Sequence, residues 1–384
     1  MNELLFLLLP LAFYSGWKAS GKSLKKIPTD KRQLSDNFVR GVNFLLNEEP
    51  DKALDVFLNR PEIDEYTAET YLLLGNLFRN RGEVDRALSV HQNLIGRASL
   101  NREQKAITLL ALGKDFLAAG MMDRAEQVFT EILLEKSDNN AEDAREALRN
   151  IYEQTQEWEK AIAVTEASQK EPGKKHESVV ANYYCELAEF SLNTGHVQDA
   201  NEQLAQAKKI FQASTRIKVI TARIHALQKE YDSSAALYLK AAQEAPRLLG
   251  TIYQPMIDSY KKAGILNQLQ DALFELSIKH SDVKALEYTL LLSIEMGPTK
   301  RVINEIPTIL QTKQLNIRTI RQAVSLFCEN PEMEGANSLA LVHAALNNHL
   351  SSQPGFQCRH CGYKMHDFLW RCPACNYWDE VIQV

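Results

Sequence analysis

Residues 74–87 read Leu-Gly-Asn-Leu-Phe-Arg-Asn-Arg-Gly-Glu-Val-Asp-Arg-Ala, and variants of this stretch recur along the chain. A close copy, residues 112–125, begins with Leu-Gly-Lys-Asp-Phe and ends with Gly-Met-Met-Asp-Arg-Ala. The alanines that end equivalent stretches are separated by 34, 38, 36, 39 and 35 residues; they are Ala53, Ala87, Ala125, Ala161, Ala200 and Ala235. A period of this length indicates stacked structural repeats instead of one compact core.

Each repeat predicts a pair of helices. Large apolar residues form the first helix, a short turn that often carries Gly follows, and the second helix begins near the Asp. The small Ala allows the second helix to approach the first closely. The period and the two short motifs resemble the tetratricopeptide repeat, strongly over residues 38–205 and more weakly to about residue 280. That resemblance implies a helical solenoid whose concave face holds peptides or helices.

Four of the six cysteines lie in the last 27 residues, as Cys358-x-x-Cys361 and Cys372-x-x-Cys375 with ten residues between the pairs. Two residues between thiolates let both sulfurs of a tight turn face one ion, and two such turns complete a tetrahedral site. The tail is too short to fold on a hydrophobic core alone, so metal binding would also supply its folding free energy. We predict one iron or zinc ion held by these four cysteines, with both metals left open. Two structural disulfides are the alternative.

The residues around the cysteines suggest how the tail is built. Gly362 and Asn376 follow the two pairs, where a left-handed backbone would aim amides at sulfur. The aromatic residues of the tail are predicted to form its apolar core; they are Phe368, Trp370, Tyr377 and Trp378. His360 or His366 could replace a thiolate, although the four cysteines already fill the site. Cys185 and Cys328, far from the tail, are predicted to be buried thiols.

The amino terminus predicts a membrane anchor. From Leu4 to Trp17 the chain has almost no polar side chain, and six Lys or Arg residues follow within 15 residues. A cleavable signal peptide would carry its basic residues before the apolar run. By the positive-inside rule, the body therefore stays on the cytoplasmic side of the membrane, with the short amino terminus outside. The run is short for a bilayer core of about 30 Å, so an interfacial or core helix is the alternative.

These patterns divide the chain into six segments. They are a single-pass anchor (1–20), a basic juxtamembrane linker (21–35), tetratricopeptide repeats (36–280), degenerate helical pairs that complete the solenoid (281–350), a hinge (351–355) and the four-cysteine module (356–384). The predicted fold class is all-α, with the module as a small rubredoxin-like or zinc-ribbon addition. Its ten-residue separation is much shorter than in electron-carrying rubredoxins, which favours a structural role.

Neither catalysis nor nucleic-acid binding is favoured. The sequence has no Gly-rich phosphate loop, Gly-x-Ser-x-Gly elbow or His-Glu-x-x-His helix. The histidines outside the tail and most carboxylates are interpreted as surface or packing residues. Residues 1–32 carry a net charge of +4 within a total of −5, so the remaining chain is acidic, and the tail is neutral. A nucleic-acid-binding surface would be more basic.

One family combines these parts in the same order. The chain resembles the lipopolysaccharide assembly protein B family (LapB, also called YciM) of Gram-negative bacteria. The resemblance covers essentially the whole chain, and the stretches that carry it are the Leu-rich start at 1–10, then 41–46, 75–87 and 184–188, and the four cysteines.

The resemblance implies an inner-membrane adaptor that restrains lipopolysaccharide synthesis. Family members act with the membrane protease FtsH to promote degradation of LpxC, the deacetylase that commits flux to lipid A. They also respond to PbgA/YejM, an inner-membrane protein that senses lipopolysaccharide. No partner-binding residue is carried over, and homo-oligomerisation is left open. The alternative function is electron transfer by a rubredoxin-like iron on a repeat scaffold.

Overall fold

The computed structural model describes residues 65–96, 100–134, 138–168, 174–279, 283–297, 316–329 and 354–383, with a few isolated positions elsewhere. The predicted anchor, the basic linker, and much of 281–350 and of the hinge lie outside the described residues. Within the described ranges, no helix has both the length and the apolar character needed to cross a membrane. The predicted anchor therefore stays a prediction.

The described residues are mostly helical, with one small sheet near the carboxyl end. The helices are α1 (Glu65–Asn80), α2 (Val84–Ile95), α3 (Arg102–Ala118), α4 (Met122–Leu134), α5 (Asp138–Thr155), α6 (Trp158–Glu166), α7 (Lys174–Asn193), α8 (Val197–Ile210), α9 (Thr215–Leu227), α10 (Tyr231–Glu244), α11 (Leu249–Ala263), α12 (Leu266–Lys279), α13 (Val283–Met296) and α14 (Ile317–Glu329). A 3₁₀ turn, Pro246–Leu248, precedes α11. The strands are β1 (Phe356–Cys358), β2 (Lys364–Met365) and β3 (Val381–Gln383).

The same backbone turn joins the two helices of each repeat within the described ranges. Its first residue has a positive φ, for example 80° at Gly82 and 73° at Gly120. The next residue then donates its backbone N–H to the carbonyl oxygen five residues earlier, as Glu83 does to Phe78 at 2.9 Å. This bond satisfies a carbonyl at the end of the first helix, so the predicted Gly in the turn has a structural reason.

The same turn corrects the alignment of the degenerate repeat. Lys229 takes the left-handed position there with φ of 63°, and α10 begins at Tyr231. The fourth residue of α10, equivalent to Ala87 or Ala200 in their helices, is therefore Ser234. The repeat spacing predicts Ala235 at this position, which is one residue out of register. The error arises because Lys229 stands where a turn glycine would have marked the end of the first helix. Ser234 is fully buried, and its Oγ lies 3.0 Å from Oγ of Ser259.

The chain divides into two compact units, Met1–Ala144 and Arg145–Val384. In the first unit, α1 packs on α2 and α3 packs on α4. A Cβ added to Gly113 would lie 2.5 Å from the Phe129 ring of α4, and one added to Gly75 would collide with the His91 ring of α2. The Leu-Gly motif therefore marks the point where the paired helices touch.

A buried polar cluster lies in this first unit. The Nδ1 atom of His91 hydrogen-bonds to Asp115, and both side chains are fully buried. Arg79 donates from Nη1 to Asp115 at 2.7 Å and to the carbonyl oxygen of Ala111 at 3.2 Å. Asp115 is thus an exception among carboxylates that were expected mostly on solvated faces, because it occupies a core position and is paired there.

In the second unit, helices α9 to α13 share one apolar core. Its members include Ala222, Tyr238, Met256, Leu273 and Tyr288, which come from these five helices in turn. The repeat turn recurs at Gly264, with φ of 73° and a backbone bond from Ile265 to Tyr260 at 3.1 Å. The helix-pair pattern therefore continues where the sequence motif fades.

Candidate metal centre and the helix face it covers

The two cysteine pairs have the same backbone geometry. Cys358 donates its N–H to the carbonyl oxygen of Tyr363, and Cys372 donates to that of Tyr377, both at 2.9 Å. In return, the N–H groups of Gly362 and Asn376 bond to the carbonyl oxygens of the two leading cysteines, also at 2.9 Å. Gly362 has φ of 77° and Asn376 has φ of 59°, which confirms the left-handed backbone predicted for both.

The strands bring the two pairs together. β1 lies between β2 and β3 in an antiparallel sheet, and the register places Phe356 opposite Met365 and Cys358 opposite Val381. The Sγ atoms of Cys358 and Cys375 are 3.7 Å apart, as are those of Cys361 and Cys372. Four sulfurs at about 2.3 Å from a central ion would be separated by about 3.8 Å in a tetrahedron. The spacing therefore fits one tetrahedral ion.

The four sulfurs all lie within 4.8 Å of one another. Burial opposes ionisation of Cys372, but the backbone N–H groups of Cys375 and Ala374 lower its pKa to about 7. Burial and the neighbouring thiols raise the pKa of Cys375 to about 12. Four thiolates this close would repel one another, and a bound cation removes that repulsion. The donor set is one that iron and zinc both accept.

The histidines of the tail have other positions. His360 stacks on Tyr377, with ring centroids 3.7 Å apart. Among the described residues, the cluster with metal-ligand geometry consists of the four cysteines. The structure therefore favours the four-sulfur arrangement over a site in which a histidine replaces a thiolate.

The apolar core of the module differs from the predicted one. Its buried members are Cys358, Met365, Cys372 and Val381, with Phe356, Phe368 and Cys375 packed around them. Phe368 was predicted correctly. Tyr377 is 40% exposed, and neither Trp370 nor Trp378 belongs to this core, although the Trp370 ring touches that of Phe368, so the prediction is wrong for these three. The two tryptophans contact helices of the second unit, which supply the larger apolar surface.

Trp378 docks in an aromatic cluster. Its ring centroid lies 6.1 Å from that of Trp158 on α6 and 6.0 Å from that of Tyr183 on α7, both edge-to-face. Trp158 and Tyr183 are themselves stacked at 5.8 Å. Such contacts contribute roughly 0.5–1.5 kcal/mol each beyond their area of burial. The module is therefore held by packing as well as by hydrogen bonds.

Arg216 on α9 lies beneath both module tryptophans. Its guanidinium carbon is 5.0 Å from the ring centroid of Trp370 and 5.8 Å from that of Trp378. Its Nη2 atom donates to Glu186 at 2.9 Å and to Glu189 at 3.1 Å. Although burial opposes the charge, Glu189 and Glu186 raise the pKa of Arg216, so the guanidinium stays protonated. A fully buried cation thus presents its face to two indole rings.

Three polar contacts complete the docking. Nη2 of Arg371 donates to the Glu153 carboxylate on α5 at 2.5 Å, and Glu153 also accepts from the Tyr183 hydroxyl. Asn182 donates to the Asp379 carboxylate at 3.0 Å. At the last strand, Gln383 donates from Nε2 to the Tyr288 hydroxyl on α13 at 3.0 Å.

The helix residues that make these polar contacts lie on α5, α7 and α13, and Arg216 lies on α9. Each of these four is the first helix of its pair. A Cβ on Gly250 of α11 would collide with the Gln383 side chain, so that helix also touches the module. Repeat proteins commonly bind partners on an extended surface built from successive repeats. In the second unit, the module itself covers this helix face.

Sequence reasoning missed this face. Glu153, Asn182 and Arg216 look like solvated helix residues, because nothing nearby in the chain pairs with them. Cys185 is fully buried, as predicted, and burial raises the pKa of its thiol to about 12. Cys328 is only partly buried, so the prediction for it was too strong.

Comparisons with known proteins agree with these features. Residues 356–381 match the family model described as a rubredoxin metal binding domain, and residues 70–106 match that of the tetratricopeptide repeat. A solved tetratricopeptide repeat protein from Parabacteroides merdae covers 64% of this chain and 100% of its own, at 16% identity. The TM-score of this superposition is 0.33.

Two curated relatives align over nearly the full length. Lipopolysaccharide assembly protein B of Escherichia coli strain K12 is 32% identical over 398 residues, which covers 99% of this chain and 98% of the relative. The protein of the same name from Haemophilus influenzae is 32% identical over 397 residues, with the same coverage. At this identity and coverage, the chain belongs to the lipopolysaccharide assembly protein B family.

Proposed function

We propose that this protein is a membrane-tethered cytoplasmic adaptor that regulates lipopolysaccharide biosynthesis. The observation that carries the proposal is the full-length match to relatives named lipopolysaccharide assembly protein B, which supports a role in lipopolysaccharide assembly. In the proposed mechanism, the protein promotes the degradation of LpxC by FtsH. The lipopolysaccharide sensor PbgA/YejM controls this activity. Helical repeats suit such a role, because their extended faces bind other proteins.

The metal centre has a structural part in this proposal. Cys358, Cys361, Cys372 and Cys375 are the proposed ligands of one iron or zinc ion. The ion would supply the cross-link that a module with so small an apolar core requires. Two of the four buried core residues, Cys358 and Cys372, are themselves proposed ligands. The protein around the ion positions Trp370 and Trp378 against the helices.

The tether is proposed from the sequence. Residues 1–20 would span the bacterial inner membrane once and residues 21–35 would lie beside it, so that the repeats act close to membrane-bound partners. Confinement of this kind raises the effective concentration of the partners without any new contact.

The test of function is the half-life of LpxC in cells. We expect deletion of residues 1–20 to lengthen that half-life, and an unrelated single-pass segment in their place to restore it. The level of the deleted protein must match that of the intact one. An unchanged LpxC half-life after deletion would contradict the tethered mechanism.

Crosslinking from native membranes identifies the partners directly. We expect FtsH and LpxC among the proteins crosslinked to the intact chain. Recovery of electron-transfer proteins instead would support the rubredoxin-like alternative and contradict the adaptor.

A further inference from the structure

A chain of hydrogen bonds in the first unit leads from the core to the surface between α1 and α3. It starts at the buried pair of His91 and Asp115, where Asp115 also accepts from Nη1 of Arg79 at 2.7 Å. The Nη2 atom of Arg79 then donates to Oδ1 of Asn76 at 2.6 Å. The Asp115 side chain is fully buried and that of Arg79 is 19% exposed, so the chain runs outward from the core.

The bond from Arg79 fixes the orientation of the Asn76 amide. Because a guanidinium can only donate, the amide oxygen of Asn76 must face Arg79, and the amide nitrogen is left to donate elsewhere. Within the described ranges, Nδ2 of Asn76 has no hydrogen-bond partner. Asn80, one turn further along α1, is exposed. The surface of α1 therefore offers an oriented donor that the described part of the chain does not use.

Lys114 brings a positive charge to the same place. Arg79 reaches across to α3, where it also donates to the carbonyl oxygen of Ala111 at 3.2 Å. Lys114 follows Ala111 by about one helical turn and is exposed. The Asp115 carboxylate compensates the charge of Arg79, whereas Lys114 has no ion-pair partner among the residues that the structure describes. An uncompensated cation and an oriented amide donor therefore lie beside each other.

Exposed apolar side chains lie on both sides of this polar group. Ile107 is about two turns before Lys114 on α3, and Met121 follows the end of that helix. On α1, Leu73 lies about one turn before Asn76 and is 70% exposed. Exposed apolar residues that are grouped, with polar residues among them, are typical of an interaction surface. A segment that matches this surface carries apolar residues on both sides of one carboxylate.

We propose that the face between α1 and α3 binds an apolar protein segment through one acidic side chain, which Lys114 and the Asn76 amide recognise. A carboxylate accepts from both donors at once, and such charge-assisted bonds are roughly twice as strong as neutral ones. Asp115 and Arg79 are positioning residues, because they hold the amide in the orientation in which it donates outward. The inference rests on the adaptor role proposed above and adds the chemistry of the segment that is bound.

The first test uses the full chain in detergent and a labelled peptide of leucine and serine, with one central glutamate and an amidated end. Fluorescence anisotropy compares it with the same peptide carrying glutamine instead. We expect the glutamate peptide to bind several-fold more tightly and to lose this advantage at high salt, because salt screens exposed charges. If the parent chain binds both peptides equally, or binds neither, the proposal is wrong. Tighter binding of the glutamine peptide with a free carboxyl end would assign the face to chain ends instead.

The second test separates recognition from folding. Lys114→Gln should weaken binding of the glutamate peptide several-fold and leave the glutamine peptide unchanged. Asn76→Asp keeps an acceptor for Arg79 but sets a carboxylate against the ligand, so the preference for glutamate should disappear without a lower urea midpoint. Lys105→Gln is the matched control, because this lysine of α3 pairs with Glu131 at 3.6 Å, and it should bind as the parent does. Equal affinities for all four proteins would overturn the site.

Arg79→Lys tests the positioning role. Lysine keeps the positive charge beside Asp115, but it lacks the rigid fork that holds a carboxylate and an amide at the same time. We expect the ratio of the affinities for the glutamate and glutamine peptides to fall, a change that a general loss of stability would not produce. A ratio equal to that of the parent chain would show that Arg79 does not position the amide.

The two proposals fail in different ways. A chain that prefers the glutamate peptide, but whose removal from cells leaves the LpxC half-life unchanged, would contradict only the adaptor role. A chain that shortens the LpxC half-life, but binds the two peptides equally, would contradict only the carboxylate site on α1 and α3.

Discussion

Arg371 and Glu153 form an ion pair at 2.5 Å although 218 positions of the chain separate them. The side chains are 17% and 6% exposed, so the pair is largely removed from water. The same carboxylate accepts the Tyr183 hydroxyl, and the Arg371 guanidinium carbon lies 5.9 Å from the Trp378 ring centroid. The pair therefore joins the metal module to the aromatic cluster on α6 and α7.

Arg371→Ala should destabilise the second unit. The substitution leaves Glu153 buried without its cation, which costs on the order of 3 kcal/mol in comparable buried pairs. Arg359→Ala is the matched control, because Arg359 pairs with Glu380 inside the module and is 51% exposed. We expect a clear fall in the urea midpoint, followed by tryptophan fluorescence, for Arg371→Ala and a small change for the control. Equal midpoints would mean that the pair does not hold the module.

Cys372→Ser should remove the metal and unfold the module. Serine is a much weaker ligand than thiolate for iron or zinc, and Cys372 is also a fully buried core residue. Metal content by mass spectrometry should fall from one ion per chain towards none. The control variant is Cys328→Ser, which is changed on α14, outside the module. It should still contain one ion per chain. If the Cys372→Ser protein still regulates LpxC fully, the site is dispensable for function.

Cys185 should resist alkylation in the folded protein. Burial raises the pKa of its thiol to about 12, so it is protonated and shielded at pH 8, and only about one in 10⁴ molecules would carry the thiolate. Iodoacetamide followed by peptide mass spectrometry should leave Cys185 unmodified and label it after denaturation. The partly buried Cys328 serves as the comparison and should react sooner. Rapid labelling of Cys185 at pH 8 would show that α7 opens easily.

The sequence predicts what is local and misses what is distant. The turn glycines and the paired cysteines are recognised because their geometry is set by a few neighbouring residues. Trp158 begins the second helix of its pair, as the apolar residues Val84 and Met122 do in theirs, so it looks like an ordinary packing residue. Arg216 pairs with residues of another helix about 30 positions earlier, so its neighbours in the chain carry no signal. The misassigned core of the module has the same origin: Trp370 and Trp378 look like core residues because the helices that bury them lie more than 140 residues away in the chain.

The alignment of the degenerate repeat, whose second helix is α10, also depends on a single residue. Lys229 takes a backbone conformation that favours glycine, and this obscured the turn, so Ala235 was aligned where Ser234 belongs. At Gly75 and Gly113, in contrast, the motif and the structure agree, because a side chain there would collide with the paired helix.

Gly113→Ala tests that close approach. Alanine favours a helix over glycine by about 1 kcal/mol, yet its Cβ would lie 2.5 Å from the Phe129 ring, which must move. Overpacking of this kind costs typically 1–3 kcal/mol, so we expect a lower urea midpoint by circular dichroism. Gly96→Ala is the control, because φ is −67° and the nearest atoms are 3.6 Å from the added Cβ. If Gly113→Ala is as stable as Gly96→Ala, the helices separate at little cost, and the glycine of the Leu-Gly motif does not fix their distance.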